Sequence, residues 1–205
     1  MHAGAVRVDN EKMSKSLGNF FTIREILDQY HPEVIRYLLL SSHYRSAINY
    51  SEDNLKIARG ALERFYTSLR GLGHIPVLPL AELDTNQPEV ARFIEVMDDD
   101  FGTPEAIAVL FDLARQLNTT RSAATATILK SLGAVLGLLQ DDATAFLQAG
   151  SASELDAASI EALIAERVQA KVDKNFARSD QIRDELKAQG VVLEDSRTGT
   201  IWRRE

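Results

Sequence analysis

A long amphipathic pattern runs through the stretch SEDNLKIARGALERFYTSLRGLG, residues 51–73. Ser51 precedes it as a helix cap, and Gly71 and Gly73 follow it as stop signals. A helix of this length must bury its apolar side against other elements, so the sequence predicts a helical core around it. The apolar residues of that side recur every three or four positions: Leu55, Ala58, Leu62, Phe65 and Leu69.

Local helix signals continue on both sides of this pattern. Thr22 and Glu25 have the spacing of a capping box, and Pro32 stands at a first helical position. Thr103 is predicted to cap a further helix that starts at Pro104. Residues 74–88 contain three prolines and no period, which is typical of a linker.

The last fifty residues change character. Two helical patterns, the second ended by Gly190, are followed by two short strand-like runs with Gly199 in the turn between them. The predicted fold is therefore mainly α, with a helical connector, an antiparallel helical bundle, and a small C-terminal α+β element that ends in a β-hairpin.

Composition limits the classes of protein that remain. The chain has 205 residues, 45% of them apolar, and no cysteine, so we expect a globular protein without disulfides or thiolate metal sites. No apolar run is long enough for a membrane span, and we expect a cytoplasmic protein. The net charge of −7 is uneven, because residues 76–170 carry 15 acidic and 5 basic residues. A polyanionic partner would therefore contact the two ends of the chain.

The stretch EKMSKSLGNFF, residues 11–21, has the chemistry of a loop that meets an anion. Ammonium groups and hydroxyls both contact phosphate oxygens, and Gly18 lets the backbone turn. A solvated surface loop is the alternative for two isolated lysines.

This stretch contains KMSKSLGN, which resembles the signature loop of class I aminoacyl-tRNA synthetases. The stretches RYLLLSSHYRSAINYSEDNL, DDDFGTPEA, NFARSDQIRDEL and GVVLEDSRTGTIWRRE narrow the resemblance to cysteinyl-tRNA synthetases of bacterial type. The similarity covers nearly the whole chain.

The resemblance implies the C-terminal part of an ATP-dependent cysteine–tRNA ligase. The HIGH-type ATP motif and the zinc site of the family lie upstream and are absent here, so we expect this chain alone to be inactive and zinc only in the missing N-terminal part. The implied domains are the end of the catalytic domain with the signature loop (1–20), a helical connector of stem-contact type (21–75), a helical bundle of DALR type (76–150) and an anticodon-recognition element (151–205).

Site residues follow from the same resemblance. Lys12 and Lys15 are the expected catalytic residues. ATP is expected to bind together with Mg, and the expected ATP-binding loop consists of Lys12, Met13, Ser14, Lys15 and Ser16. No metal ligand is expected in this chain. Aromatic rings, basic groups and carboxylates can stack on and bind unpaired bases. The expected contacts to the GCA anticodon are Lys171, Phe176, Asp180, Asp195, Trp202, Arg203 and Arg204.

Some of these residues have structural alternatives. Lys171 and Phe176 stand where the family is expected to have Arg and Trp, and Trp202 could instead pack the hairpin on a helix. His43, Tyr44 and Arg45 could contact RNA or form internal pairs, for example between Arg45 and Glu52. Three adjacent acids at 98–100 point in different directions, which favours a helix-capping role for Asp99 or Asp100 over a metal site.

The expected partners are the tRNA for cysteine, ATP, and L-cysteine through the missing catalytic domain, with the protein a monomer that has no membrane contact. Two other functions stay open at this point. One is a stand-alone tRNA-binding or regulatory module derived from a synthetase. The other is a cysteine:aminosugar ligase, which shares KMSKS but lacks the tail GVVLEDSRTGTIWRRE.

Overall fold

A computed structural model describes residues 2–149, 155–196 and 199–204. The chain forms two compact units, Met1–Ala143 and Thr144–Glu205. Helices dominate and an antiparallel hairpin lies near the C-terminus, which confirms the predicted fold class. Across the described ranges, no helix is long and apolar enough to cross a membrane.

The first unit combines a small sheet with six helices in its described residues. The strands are β1 (Val6–Val8), β2 (Glu11–Lys12) and β3 (Ile48–Tyr50). The helices are α1 (Ile23–Leu27), α2 (Pro32–Leu40), α3 (Glu52–Leu69), α4 (Pro88–Asp98), α5 (Thr103–Thr120) and α6 (Ala123–Val135).

The sheet has the order β2-β1-β3, with β1 antiparallel to β2 and parallel to β3. Gly4, just before β1, donates its N–H to the carbonyl of Tyr44 at 2.7 Å. A Cβ on Gly4 would lie 1.9 Å from the carbonyl oxygen of Ser46, so only glycine fits this approach. Val6 and Val8 alternate with Arg7 in the sequence, a pattern typical of a strand, but no local signal indicates its parallel partner.

Helix starts agree with the capping signals at two sites and differ at a third. The Thr22 hydroxyl accepts from the Glu25 N–H, and the Glu25 carboxylate accepts from the Thr22 N–H at 2.7 Å, so the predicted capping box is confirmed. Ser51 caps α3 as predicted. Thr103 does not cap α5, because Gly102 is the N-cap residue and Thr103 is already helical.

The predicted apolar side of α3 lies in the core. α3 packs against α2 and α5, and α5 packs against α4 and α6. The helix ends at Leu69 with Arg70 as its C-cap, slightly before the predicted glycine stop. The five residues of the pattern are all buried: Leu55, Ala58, Leu62, Phe65 and Leu69.

One buried carboxylate joins distant segments of the first unit. Glu33, in the first turn of α2, accepts from the Tyr66 hydroxyl at 2.9 Å and from the N–H groups of Leu139 at 3.0 Å and Gln140 at 2.7 Å. Burial and the nearby charge of Glu33 raise the pKa of Tyr66 far above its ordinary value. Glu33 thus ties the segment after α6 to the connector helices.

The second unit packs two helices on a hairpin. Its elements are α7 (Ala143–Gln148), which begins at the unit boundary, α8 (Ala157–Val172), α9 (Phe176–Ala188), β4 (Val191–Ser196) and β5 (Gly199–Arg204). α8 contacts α9, and α9 contacts β4. Their shared core consists of Ile160, Ile164, Ile182, Leu186, Val191 and Trp202.

Candidate functional site

The signature loop, residues 12–19, leaves the sheet at β2 and forms one short turn. Lys12 ends β2 opposite Arg7, and a 3-10 turn follows over Lys15–Leu17. Gly18 closes this turn in a left-handed conformation, with φ of 67°. Gly18 therefore stands where the backbone adopts a left-handed conformation, which glycine allows without steric cost.

The side chain of Asn19 holds the loop closed. Its Oδ1 accepts from the N–H of Ser14 at 2.8 Å, and its Nδ2 donates to the carbonyl of Lys12 at 3.3 Å. The hydroxyls of Ser14 and Ser16 lie 3.2 Å apart. Asn19 thus joins the two ends of the loop, and the two hydroxyls share one side of the turn.

The two lysines of the loop carry charges that no acid in the described residues neutralises. Lys12 and Lys15 are exposed, and within the described residues neither has a carboxylate at salt-bridge distance. The Nζ of Lys15 lies 5.6 Å from the centroid of the Phe20 ring, while Met13 is half-buried. Two free ammonium groups beside two hydroxyls form a donor set that fits a polyphosphate such as that of ATP.

The second candidate site centres on Asp195, in β4. Its Oδ1 accepts from Arg167 Nη1 at 2.8 Å and from the Thr200 hydroxyl at 2.6 Å. Its Oδ2 accepts from Arg167 Nη2 at 2.9 Å and from Lys171 Nζ at 3.0 Å. These hydrogen bonds, first those from Arg167, hold the pKa of Asp195 well below its usual range.

The donors around Asp195 differ in their access to solvent. The Arg167 side chain is 7% exposed, whereas those of Lys171 and Asp195 are 42% and 47% exposed. A carboxylate offers about four acceptor positions, so four donors leave none free. Lys171 is the charged donor that water or a ligand can displace more readily, since its side chain is far more exposed than that of Arg167.

Two further predicted residues lie on α9 with exposed side chains. Phe176 is the first residue of the helix and is 63% exposed. Asp180 is 63% exposed and forms an ion pair with Arg183 at 3.2 Å. A ring and a carboxylate one helical turn apart can stack on a base and accept from its edge.

Trp202, Arg203 and Arg204 are packed within the hairpin and its supports. Trp202 is 2% exposed and donates from Nε1 to Glu161 at 2.6 Å, so the packing alternative describes its position in this structure. Arg204 is also buried, and donates to the carbonyls of Gln148 and Leu155. Arg203 forms an ion pair with Glu194 at 3.4 Å. Base or phosphate contacts by these three residues stay predictions.

Asp100, the last of the three acids at 98–100, does not cap the next helix, whose N-cap residue is Gly102. The carboxylate of Asp100 accepts from the Tyr44 hydroxyl at 2.6 Å and from Arg45 Nη2 at 3.1 Å. These hydrogen bonds lower the pKa of Asp100. His43 Nε2 lies 3.0 Å from the Asp100 carbonyl oxygen, so His43, Tyr44 and Arg45 all contact the residue Asp100, which lies just after α4. The partner of Arg45 is Asp100, not Glu52.

Sequence reasoning missed Arg167 and Thr200. Arg167 lies one helical turn before the predicted Lys171, which was the only local signal for it. The contact of Thr200 to Asp195 depends on the hairpin register, where the two residues pair directly. No group of three His, Cys, Asp or Glu side chains in the described ranges could hold a metal ion.

Three family models match consecutive parts of the chain. Residues 1–60 match the tRNA synthetases class I (C) catalytic domain, residues 92–140 the DALR domain, and residues 154–203 the cysteinyl-tRNA ligase anticodon binding domain. The predicted domain boundaries at 20, 75 and 150 stay predictions.

Individual relatives extend this match to 99% of the chain. The cysteine–tRNA ligases of Azotobacter vinelandii and Ectopseudomonas mendocina are each 61% identical to it over 209 residues. That of Stutzerimonas stutzeri is 60% identical. The chain spans 44% of the length of each of these relatives. The chain is therefore similar, over 99% of its length, to the C-terminal region of cysteine–tRNA ligases.

Proposed function

We propose that the chain acts as the C-terminal region of an ATP-dependent cysteine–tRNA ligase, and supplies both the signature loop and the anticodon-binding surface. The observation that carries this proposal is the 61% identity to cysteine–tRNA ligases over 99% of the chain. The whole reaction needs the amino-acid pocket and the zinc site expected upstream, so the chain by itself would not form cysteinyl-adenylate.

In this proposal Lys12 and Lys15 act on the triphosphate of ATP, together with Mg. When the cysteine carboxylate attacks the α-phosphorus, negative charge grows on the departing pyrophosphate. The two uncompensated ammonium groups would stabilise that charge most strongly in the transition state. Ser14 and Ser16 add hydroxyl donors, Met13 anchors the turn, and loop closure over bound ATP would bring the lysines to the phosphates.

The second unit would read the anticodon of the tRNA for cysteine. Phe176 offers an exposed ring for stacking, and Asp180 an exposed acceptor for a base edge. Asp195 would accept from a base after Lys171 leaves its Oδ2, which frees the Lys171 ammonium for a phosphate. Arg203, a half-buried residue of the hairpin, would contact phosphate, and Trp202 and Arg204 would hold the shape of the hairpin from the interior.

We place this activity in the cytoplasm, where tRNA is charged, and expect a monomeric protein. L-cysteine would bind outside this chain. The tRNA would contact the second unit, whose last 35 residues carry 8 basic and 7 acidic side chains, rather than the acidic middle of the chain.

The test of the catalytic part replaces Lys15 by alanine in a full-length ligase that carries this C-terminal region. We expect cysteine-dependent ATP–pyrophosphate exchange to slow by about 10²–10³, the usual cost of one lost transition-state contact. Lys56→Ala is the matched control, because Lys56 is an exposed lysine on α3 and lies outside the loop. Exchange at the wild-type rate in Lys15→Ala would remove the role assigned to this lysine.

A further inference from the structure

Besides Lys171, two donors from within the unit hold Asp195. Arg167 reaches it from α8 with both terminal nitrogens, at 2.8 and 2.9 Å, and Thr200 reaches it from β5 at 2.6 Å. Such a bidentate pair fixes the plane of a carboxylate as well as its position. The orientation of Asp195 is therefore set by the unit itself before any ligand arrives.

The burial of Arg167 makes this contact stiff. Its side chain is 7% exposed, and its Nε is buried without a hydrogen-bond partner among the described residues. Asp195 therefore supplies most of the compensation for this buried charge, and separation of the pair would leave an unpaired guanidinium in the interior. Lys171, with its exposed side chain, is free of this constraint.

Asp180, the other carboxylate predicted to read a base, also acts on Arg167 through its charge. The hydrogen bonds to Asp195 raise the pKa of Arg167, and the negative charges of Asp195 and Asp180 act in the same direction. One side chain on α8 is thus electrostatically coupled to acceptors on β4 and on α9.

We propose that Arg167, assisted by Thr200, is a positioning residue for anticodon recognition: it orients Asp195 so that the Oδ2 position now held by Lys171 can accept from a base. This inference rests on the proposed function, because it requires Asp195 to read a base. Arg167 itself touches no nucleotide in this proposal, and its effect should appear in discrimination among anticodons rather than in overall affinity.

The experiment measures Kd of the full chain for the tRNA for cysteine, with anticodon GCA, and for the same tRNA with each anticodon base replaced. Arg167→Lys keeps the charge but cannot donate two parallel hydrogen bonds to one carboxylate. We expect the preference for GCA to fall by roughly tenfold, since one well-placed base contact has about that value, while Kd for the altered tRNAs stays near wild type. Thr200→Val removes the hydroxyl that donates to Asp195. It should also lower the preference for GCA, but by less than Arg167→Lys does.

Arg178→Lys is the matched control, because Arg178 lies in the same unit and pairs with Glu166 and Glu185, away from Asp195. Its preference for GCA should equal that of the wild type. A uniform loss of affinity for all tRNAs in Arg167→Lys would show a purely structural role and overturn the inference.

Asp195→Asn separates this inference from the proposed function. If Asp195→Asn loses the preference for GCA while Arg167→Lys and Thr200→Val both keep it, the positioning role is wrong and the base-reading role stands. If the wild-type chain shows no preference among anticodons, the proposed base-reading function and the inference fall together.

Discussion

Glu33 is a single side chain that links α2 to α3 and to the segment after α6. Its carboxylate is buried and receives a hydroxyl and two backbone N–H donors from segments more than 30 residues away. Beside it, His31 Nε2 lies 2.8 Å from Asp141. Local sequence signals predict Pro32 as a helix start. They do not predict the hydrogen bonds of Glu33, because its partners are distant in the chain.

Glu33→Gln should therefore destabilise the first unit strongly. The amide would direct an NH₂ group at donors that now meet an oxygen, and we expect a loss of about 2–4 kcal/mol in the free energy of unfolding. Urea unfolding followed by far-UV circular dichroism measures this change. Glu52→Gln, on the exposed first turn of α3, is the control and should cost only a few tenths of a kcal/mol, about the size of a helix-dipole contact. Equal effects of the two variants would contradict the role of Glu33.

Asp195 gives the second unit a stability that depends on pH. Its pKa is lowered in the folded state, so its contribution is fully present above the unfolded value of about 3.9 and is lost as pH falls toward the folded value. Wild type should exceed Asp195→Asn in stability at pH 7, and the difference should shrink below about pH 4.

The fluorescence of Trp202, the single tryptophan of the chain, reports on this unit because the ring is buried in its core. Asp180→Asn serves as the control, since Asp180 is exposed and its ion pair spans only one helical turn. A constant gap between wild type and Asp195→Asn from pH 7 to pH 3 would mean that the carboxylate charge does not stabilise the fold.

At the scale of elements, the signature loop and α3 should behave in opposite ways. The loop is closed by the Asn19 side chain and by two backbone hydrogen bonds of 3.3 Å, while α3 buries a complete apolar side. Amide exchange should be fast across residues 12–18 and slow over Leu55–Leu69. Added pyrophosphate should slow the loop amides if the lysines bind it. Strong protection of the loop without any ligand would contradict this expectation.

Elements with strong local signals could be predicted, and those that depend on distant partners could not. Capping at Thr22 and Ser51, the apolar side of α3 and the Gly190 stop are readable because cap and periodicity act within a few residues. The parallel pairing of β1 with β3 joins residues about 40 positions apart through strands of three residues. The expected capping of the next helix by Asp99 or Asp100 is wrong, because Gly102 is the N-cap residue of α5, and Asp100 binds Tyr44 and Arg45 from another part of the unit.

The candidate site residues also divide into those with a local sequence signal and those that depend on distant partners. Lys12, Lys15 and their serines form a contiguous motif, so the sequence alone is enough to predict them as site residues. The hydrogen bonds of Asp195 require α8, β4 and β5 to come together. No local sequence signal predicts that Arg167 or Thr200 contacts Asp195. For Trp202 the sequence left two interpretations open, and its burial fits the packing one.

For the whole molecule, charge distribution favours a specific RNA partner over arbitrary polyanions. The net charge is −7, and residues 76–170 carry 15 acidic residues against only 5 basic ones. Association with tRNA should weaken steeply with salt as counterions are released. An unrelated RNA of equal length should compete poorly at moderate salt, because the acidic middle repels any contact outside the specific surface.

The most direct test is a titration of the 205-residue chain with the tRNA for cysteine and with the same tRNA carrying a different anticodon, at about 50 mM salt, where phosphate contacts are strong. We predict weak, reversible binding with a clear preference for the GCA anticodon, and no cysteine-dependent ATP–pyrophosphate exchange by the chain alone. Equal affinity for both tRNAs, or absence of binding to either, would contradict the assignment of the second unit as an anticodon reader.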